Sequence, residues 1–507
     1  MKFARFLAVF ATVALAAGCS TGGSTEPPAT GPSQGATSGP SPEDESTQGL
    51  TIFGTPASSY LAEDTQSVFP MNDVSALGPG EIVIPSHIEG PCQDVVQDHG
   101  KVSDSIRLAV ETPAAVYCEF DDGNALPASD SAGVTVDGTF TPFTSTAELV
   151  QDDGHRQTYA MATDGKRAFW LETVGASATH ATWRLFSADL ETKKSALVTT
   201  AEDALGLVSE LPSVPDPKLT VHDGRIVMLS MVPNDQYREK AATDPASLEV
   251  WDSGDFTTAL VSLNVDGSAV EISHEGLGTY GYSKAGLVYT NLSLVSLQPA
   301  AGNSSDTAGT GAGAATEADT GADESANTET AETHITRTIV HEVNGTAEEI
   351  VVDAGNGEGV YEQGRVIENV QISDNYVAFT RGSTLHLLDL TSKTARIIDL
   401  DYTLTTQLAG PEGSTSESQV QELALGKDTA AILLRTQTEG PASGETAISG
   451  AFMTEVLSPP DIETAGQVTG VLHTLDSEPY LLRYEDGHYS FRVGLAEGGV
   501  AQYSIAE

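Results

Sequence analysis

The sequence contains few residue patterns that could support catalysis. Ser283 lies in Gly281-Tyr282-Ser283-Lys284-Ala285, which lacks the second glycine of a nucleophile elbow and falls in a repeated turn. Asp121-Asp122-Gly123 lacks the ligand spacing of a calcium loop. The 11 histidines are scattered, and no His-Glu-x-x-His, P-loop or paired Cys-x-x-Cys is present. We therefore predict no catalytic residue, no metal site and no cofactor, and we interpret Ser283 as structural.

The N-terminus has the organisation of a secretory signal. Lys2 and Arg5 precede an apolar run over residues 6–17, which is too short to span a hydrocarbon core of about 30 Å. The run ends in Leu15-Ala16-Ala17-Gly18-Cys19 and resembles the lipobox of bacterial lipoproteins, although Leu15 lies four residues before the cysteine instead of three. The resemblance implies a signal peptide over residues 1–18 and lipid, including palmitate, on Cys19. It also implies an extracytoplasmic location at the cell membrane. The alternative is an ordinary secretory signal with a chance cysteine.

The other two cysteines form an even pair once Cys19 is assigned to the lipid. Cys92 and Cys118 would then lie in an oxidising compartment, where disulfides persist. We predict a disulfide between them that closes a loop of about 25 residues, with a stabilisation of about 3 kcal/mol by loop entropy. The alternative is two buried free thiols.

Composition separates a tether from a folded domain and limits the partners. Residues 20–49 consist almost wholly of Ser, Thr, Gly, Pro and Ala, which bury too little apolar surface to offset the entropy of ordering. We predict a lipidated cysteine and disordered tether over residues 19–50 and a folded domain over residues 51–507. The chain has 72 acidic and 24 basic residues and a formal net charge of −48, which disfavours nucleic-acid binding.

The folded part is organised as repeated β-hairpins. Asp164-Gly165 and Asp223-Gly224 each separate two β-rich apolar runs, and these turn residues tolerate positive φ. A second hairpin follows each clear one, for example at Asn344-Gly345, so each repeat has four strands. Further first-hairpin turns are predicted near Lys284, Asp374, Lys427 and, more faintly, at Glu111-Thr112-Pro113 and Asp476-Ser477.

The spacing of these turns predicts a β-propeller. The repeats recur about every 50 to 60 residues once residues 301–331, a predicted disordered acidic insert, are set aside. Residues 185–192 and 385–391 resemble TolB-like and WD40-like bacterial propellers. We predict an all-β fold with about seven four-stranded blades, and we expect the strand near Leu50 to complete the last blade and close the ring. Two packed β-sandwich domains are the alternative.

Loop lengths predict which end of the ring binds a partner. With strands labelled a to d from the centre outwards, all long segments are predicted to be b–c or d–a connections, which share one end of a propeller. They include residues 232–255, 293–333 and 458–467. Binding residues tend to lie on loops held by a rigid scaffold, so Tyr237 and Trp251 are candidate partner contacts. The alternative is that the aromatic side chain of each residue packs on its own blade.

Two classes of function remain open at this stage. The first is a binding or scaffolding module for a protein, peptide or glycan partner, which the propeller resemblance and the absence of catalytic motifs favour. The second is an extracytoplasmic hydrolase or lyase acting on a glycan. Such an enzyme predicts two or more carboxylates that meet in a central funnel, with at least one raised pKa. A binding module predicts a broad, aromatic-edged face with no such cluster.

Overall fold

The computed structural model describes most of the chain from Thr47 onwards. The described residues are 47, 49–60, 71–72, 81–83, 95–113, 129–150, 155–174, 182–207, 210–214, 217–249, 253–296, 333–354, 366–382, 384–400, 415–439, 446–457, 470–475, 477–485, 487–494 and 500–507. Cys19, Cys92, Cys118, Trp251 and the insert at residues 301–331 lie outside them. Lipidation, the disulfide and the role of Trp251 therefore stay predictions.

Seven separate sheets are arranged as the blades of a β-propeller, which confirms the predicted fold class and number of blades. Within each blade, strand a lies at the centre of the ring, and the a strands contact one another between blades 1 and 2, 2 and 3, 4 and 5, 5 and 6, and 6 and 7. Blade 1 consists of Val95–Ser103, Ile106–Thr112, Ser131–Val136 and Thr139–Pro142. Blade 2 consists of Arg156–Thr163, Arg167–Val174, Arg184–Asp189 and Ser195–Thr200. Blade 3 consists of Leu219–His222, Arg225–Pro233, Phe256–Asn264 and Glu271–Ser273.

The remaining four-stranded blades follow in chain order. Blade 4 consists of Leu277–Tyr282, Leu287–Ser296, Thr333–Val343 and Thr346–Asp353. Blade 5 consists of Ile367–Ile372, Tyr376–Arg381, Thr384–Asp389 and Thr394–Asp399. Blade 6 consists of Thr415–Leu425, Thr429–Glu439, Thr446–Val456 and Gly470–Leu475. Blade 7 consists of Pro479–Glu485, His488–Gly494, Val500–Ala506 and Glu81–Val83.

Short additional elements surround the ring. Met71–Asn72 pairs in parallel with the outer strand of blade 6. The α-helices are Ala147–Val150, Ala201–Leu205 and Asp235–Thr243. The 3₁₀ helices are Ala57–Tyr60, Pro245–Glu249 and Ser253–Asp255.

The predicted Asp-Gly and Asn-Gly turns are confirmed, and their backbone angles explain the residue choice. In Asp223-Gly224 the φ angles are 48° and 74°, and in Asn344-Gly345 they are 52° and 75°. Two successive positive φ values define the hairpin turn whose twist matches the flanking strands. Asp, Asn and Gly adopt this conformation at low cost.

The two faint hairpins in the first and last blades were predicted at the wrong places. Glu111 and Thr112 end strand b of blade 1, whose first turn lies at residues 104–105, after a strand a too polar to give an apolar signal. Ser477 lies between strand d of blade 6 and strand a of blade 7. The first turn of blade 7 instead follows Glu485.

The strand that closes the ring also differs from the prediction. Leu50–Ile52 pairs with strand d of blade 4, because Leu50 and Ile52 are both buried in the cluster formed by blades 4 and 5. Closure is instead made by Glu81–Val83, which pairs antiparallel with Val500–Ala506 in blade 7. A three-residue strand from the N-terminal side of the chain thus completes the last blade.

The interfaces between blades are of two kinds. Six hydrophobic clusters join blades 1 and 2, 2 and 3, 3 and 4, 4 and 5, 5 and 6, and 6 and 7. Among the described residues no such cluster joins blade 7 to blade 1. The side chains at that interface are mostly polar or charged, and we call it the seam.

Candidate functional site

The connections between strands define two ends of the ring. The b–c and d–a connections emerge at what we call the long-loop face, and the a–b and c–d turns emerge at the short-turn face. The b–c connection of blade 3 contains the helix Asp235–Thr243. Residues 458–467 were predicted to be a d–a connection, but the described strands before and after them are c and d of blade 6. The prediction that every long connection shares one face is therefore wrong for this segment.

Tyr237 lies on the long-loop face, but its ring points into the protein. It is 2% exposed, and its ring centroid lies 5.2 Å from that of Phe256. Asn234 begins the helix and accepts a hydrogen bond from the Tyr237 backbone N–H at 3.1 Å. The helix therefore anchors the loop through Tyr237, which fits the alternative of packing on its own blade and not a partner contact.

Two carboxylates lie close enough to interact electrostatically at the long-loop end of blades 1 and 2. Asp130 immediately precedes strand c of blade 1, and its Oδ2 accepts a hydrogen bond from the backbone N–H of Thr158 in blade 2 at 3.0 Å. Glu172 lies near the end of strand b of blade 2 and is 2% exposed. Its Oε1 accepts a hydrogen bond from Thr146 Oγ1 at 3.0 Å and lies 3.2 Å from Arg156 Nε.

The environment disfavours the charged form of both carboxyls. Burial raises the pKa of Asp130 above its ordinary value. Burial likewise raises the pKa of Glu172, and the negative charge of Asp130 raises it further. The positive charges of Arg156 and Arg184 lower the same pKa. The second carboxylate oxygen of Glu172 has no hydrogen-bond partner among the described residues. Carboxyl groups with raised pKa values beside a second acid are typical of proton donors in catalysis, and they also occur in structural ion-pair networks.

A separate pocket of about 410 Å³ lies between blades 4 and 5, and the loop ends of its strands place it toward the long-loop face. It is formed by strands a, b and c of blade 4 and strand a of blade 5. Hydroxyl, amide and backbone groups dominate its walls, and Glu368 is its only carboxylate among the described residues. The lining residues are Gly278, Thr279, Thr290, Asn291, Arg337, Thr338, Ile367, Glu368, Asn369, Val370 and Gln371.

β-Bulges shape both inner walls of this pocket. The register of blade 4 shifts between Leu277 and Tyr280, and that of blade 5 shifts between Glu368 and Gln371. Bulges redirect side chains and concentrate next to functional sites. Asn369, within the second bulge, has a φ of 52°, a left-handed conformation that asparagine tolerates better than most residues. Its Nδ2 donates a hydrogen bond to Thr380 Oγ1 at 3.1 Å, which holds it in place.

A glycine and an arginine line the pocket, and a lysine outside the lining contacts one of its walls. A Cβ at Gly278 would lie 2.7 Å from Thr290 Oγ1, so a side chain there would displace the hydroxyl that accepts from the Thr279 N–H. Lys218 Nζ donates to Thr279 Oγ1 at 2.8 Å. Arg337 donates to the Ile367 carbonyl at 2.7 Å and so joins the two blades. The walls can therefore donate and accept several hydrogen bonds at once.

The structure assigns Ser283 to its turn. Its Oγ donates to the Gly286 carbonyl and accepts from the backbone N–H groups of Ala285 and Gly286, at 3.0 to 3.2 Å. It also contacts His341 Nε2 at 3.1 Å. The turn already uses the hydroxyl, which agrees with the structural interpretation.

The described part of the chain has neither a cluster of metal ligands nor a helix that could span a membrane. No group of three or more His, Cys, Asp and Glu side chains there is placed to hold a metal ion. No described helix is both long enough and apolar enough to cross a membrane.

Sequence reasoning missed the residues that matter most at this face. Asp130 and Glu172 are 42 positions apart and belong to no motif, and Asn369 and Arg337 lie in ordinary strand sequence. The only signal available was the general expectation of carboxylates at the loop face of an enzyme.

Comparison with known proteins gave structural matches only. No family model matches the sequence, and no curated protein matches it. The fold is similar to an acylaminoacyl peptidase from Pyrococcus horikoshii, with a TM-score of 0.37 and 9% identity over 81% of this chain and 51% of that chain. A puromycin-hydrolyzing peptidase from Mycobacterium tuberculosis gives a TM-score of 0.33 and 10% identity, over 85% and 61%. This chain therefore spans only about half to three fifths of the length of those peptidases. A mutant β-fructofuranosidase from Bombyx mori gives a TM-score of 0.28 and 10% identity, over 88% and 96%.

Proposed function

We propose that this chain is a membrane-anchored extracytoplasmic lipoprotein whose propeller acts as a binding module for a protein, peptide or glycan partner. The observation that supports the binding role is the polar pocket between blades 4 and 5. Binding sites are concave and contain a few fixed polar groups that set the orientation of the ligand. Here those groups are held by bulges and by hydrogen bonds between neighbouring strands and blades.

The chemistry of the pocket favours an uncharged polar ligand. Arg337 and Glu368 balance each other in formal charge, and the other polar lining side chains are hydroxyls and amides. Such groups match the hydroxyls of a sugar or the amides of a peptide backbone. Within the proposal, the glycan and peptide classes are therefore the first to test.

Binding is tested on glycan and peptide arrays with the full mature protein and the double variant Asn291→Ala/Gln371→Ala. The matched control is Ser268→Ala/Ser392→Ala, which changes two polar side chains at exposed c–d turns of the short-turn face. We expect binding to fall at least about tenfold in the pocket variant and to persist in the control. Absence of binding to either array by folded wild-type protein, or equal binding by both variants, would contradict the proposal.

The membrane anchor rests on the lipobox resemblance and has its own test. Cells labelled with a palmitate analogue are expected to incorporate it into the wild-type chain and not into a Cys19→Ser variant, which also loses partition into detergent. Labelling that survives this substitution would contradict lipidation at Cys19.

The second candidate function is a hydrolase or lyase acting on a glycan, favoured by Asp130 and Glu172. A carboxyl with a raised pKa can act as general acid, which contributes typically about 100- to 10,000-fold to a rate. Turnover of envelope glycans is expected to fall by that factor in Glu172→Gln. Glu455→Gln is the matched control, because Glu455 is also 2% exposed and paired with an arginine. No turnover by wild type, or equal turnover by the two variants, would exclude this candidate.

A further inference from the structure

The seam between blades 7 and 1 contains a cleft distinct from the pocket described above, and we infer that it binds an oxyanion, a carboxylate or a phosphate group. The cleft has a volume of about 420 Å³ and is lined by strands of both blades. Three arginines line it: Arg107 from blade 1, and Arg483 and Arg492 from blade 7.

The surplus of arginine is unexpected in this chain. Acidic residues outnumber basic ones by 72 to 24, so an arginine on this protein has many carboxylates available as partners. Eight described arginines pair with a carboxylate within 4.0 Å: Arg107, Arg156, Arg167, Arg225, Arg238, Arg381, Arg396 and Arg435.

Arg483 and Arg492 differ from these eight. Neither forms an ion pair with a carboxylate in the described part of the chain. Arg483 donates one hydrogen bond to the Asp98 carbonyl at 3.0 Å, and Arg492 donates one to Gln502 Oε1 at 3.3 Å. A guanidinium has five N–H donors in a planar fork, so both keep donors for a further acceptor. The two residues meet in one cleft.

Both acids of the cleft are paired with the third arginine. Arg107 Nε lies 3.1 Å from Asp98 Oδ2, and the same guanidinium also pairs with Glu485. Three arginines against two acids give the cleft a formal charge of +1, and its other polar groups, including Gln97, Ser490 and Gln502, are neutral. Guanidinium groups bind carboxylate and phosphate through paired hydrogen bonds, which makes these oxyanions the matching ligands.

A purely structural role does not explain this composition. The other six interfaces are packed with apolar side chains, which supply more stability than exposed polar contacts. The seam instead retains two cationic groups without carboxylate partners next to an open cleft. An oxyanion in the cleft would supply the missing partner.

The test is calorimetric titration of the full mature protein with two probes, inorganic phosphate and succinate, at constant ionic strength set with sodium chloride. Saturable binding of at least one probe is expected. Phosphate alone would point to a phosphate-bearing source, and succinate alone to a carboxylate-bearing one. Affinity is expected to fall at least about tenfold in Arg483→Gln/Arg492→Gln, because charged hydrogen bonds are lost.

The matched control is Arg167→Gln/Arg238→Gln, which removes the same charge from two exposed arginines paired with neighbouring carboxylates. It is expected to bind as wild type does. A single Arg492→Lys variant retains the charge without the planar fork and is expected to bind with intermediate affinity. Circular dichroism verifies that each variant is folded. No saturable binding of either probe by wild type, or equal affinity in the seam and control variants, would overturn the proposal.

Discussion

The two faces of blade 7 use opposite kinds of chemistry. Toward blade 6, Phe491 stacks on Phe452 with ring centroids 4.9 Å apart, and both rings are fully buried. Toward blade 1, Arg107 pairs with Glu485, and Arg483 donates to a backbone carbonyl across the seam. Apolar contacts are non-directional and exclude water, whereas polar contacts are directional and exchange with water or ligand. Among the described residues, six interfaces therefore have an apolar core, and the seventh has a polar cleft.

The largest expected difference between these faces comes from removing a buried ring. Phe452→Ala is expected to lower the free energy of unfolding by about 3–5 kcal/mol, because it leaves a cavity between blades 6 and 7. Val96→Ala, at a seam position that is 41% exposed, is expected to change it by less than about 0.5 kcal/mol. Guanidinium unfolding measures both. If both variants lost a similar amount of unfolding free energy, the seam would contribute to stability as the apolar interface does.

Lowering the pH is expected to destabilise one apolar interface through a single buried histidine. His386 is fully buried and stacks on Phe379 at 4.5 Å, and neither ring nitrogen has a hydrogen-bond partner among the described residues. Burial, assisted by the charge of Arg381, lowers its pKa from 6.5 to about 3. Protons therefore bind the unfolded chain preferentially, and the free energy of unfolding falls as the pH drops from 6.5 towards about 3.

His386→Leu should reduce this acid sensitivity. At pH 7 the variant is expected to be more stable by about 1–3 kcal/mol, because two unsatisfied buried nitrogens are removed. The measurement is the free energy of unfolding in urea between pH 4 and pH 7. His222→Leu, at a side chain that is 42% exposed, serves as control and is expected to keep the wild-type slope. If the free energy of unfolding of His386→Leu depended on pH as strongly as that of wild type, the acid sensitivity would not come from His386.

A smaller effect is expected from loosening the strand that closes the ring. Ile82→Pro disrupts the pairing of Glu81–Val83 with Val500–Ala506, since proline cannot donate to a strand partner. Amides in Val500–Ala506 are expected to exchange about fivefold faster, which corresponds to about 1 kcal/mol. Thr51→Pro in the equally short strand beside blade 4 is the control. If both variants accelerated amide exchange in Val500–Ala506 equally, the strand Glu81–Val83 would not stabilise blade 7 locally.

The smallest effect is expected from the ion pair of the seam itself. Arg107 and Glu485 are 25% and 35% exposed, so Arg107→Gln is expected to cost at most about 1 kcal/mol and less at high salt. Lys393→Gln removes a more exposed inter-blade pair with Glu348 and is expected to cost less still. Unfolding at two salt concentrations tests both. A loss above 3 kcal/mol in Arg107→Gln would show that the seam supports the ring as strongly as an apolar interface.

The repeated parts of the fold were predictable because local rules determine them. Asp164-Gly165, Asp223-Gly224 and Asn344-Gly345 specify hairpins through their own backbone preferences, and the regular spacing specifies blades. The closure was not predictable in the same way. Leu50–Ile52 and Glu81–Val83 are both short strands, and only packing across the ring decides which outer edge each one joins.

The candidate sites depend on contacts between blades, which periodicity does not encode. Asp130 and Glu172 lie close enough to interact because a d–a connection places strand a of blade 2 beside blade 1. Arg483 and Arg107, 376 positions apart in the chain, line the same cleft because the last blade closes on the first. The burial of Tyr237 could not be predicted from the sequence, because a helix turns its side chain inward, away from the loop surface.

The N-terminal segment is attached to the outer edges of three different blades. Leu50–Ile52 is held by the edge of blade 4, Met71–Asn72 by blade 6 and Glu81–Val83 by blade 7. We predict that tension on the chain before Leu50 detaches these strands in that order, so that two short sacrificial contacts yield before the ring opens. Pulling single molecules from residue 49 should show two small extension steps before the propeller unravels. Unravelling in one step would rule out this order of release.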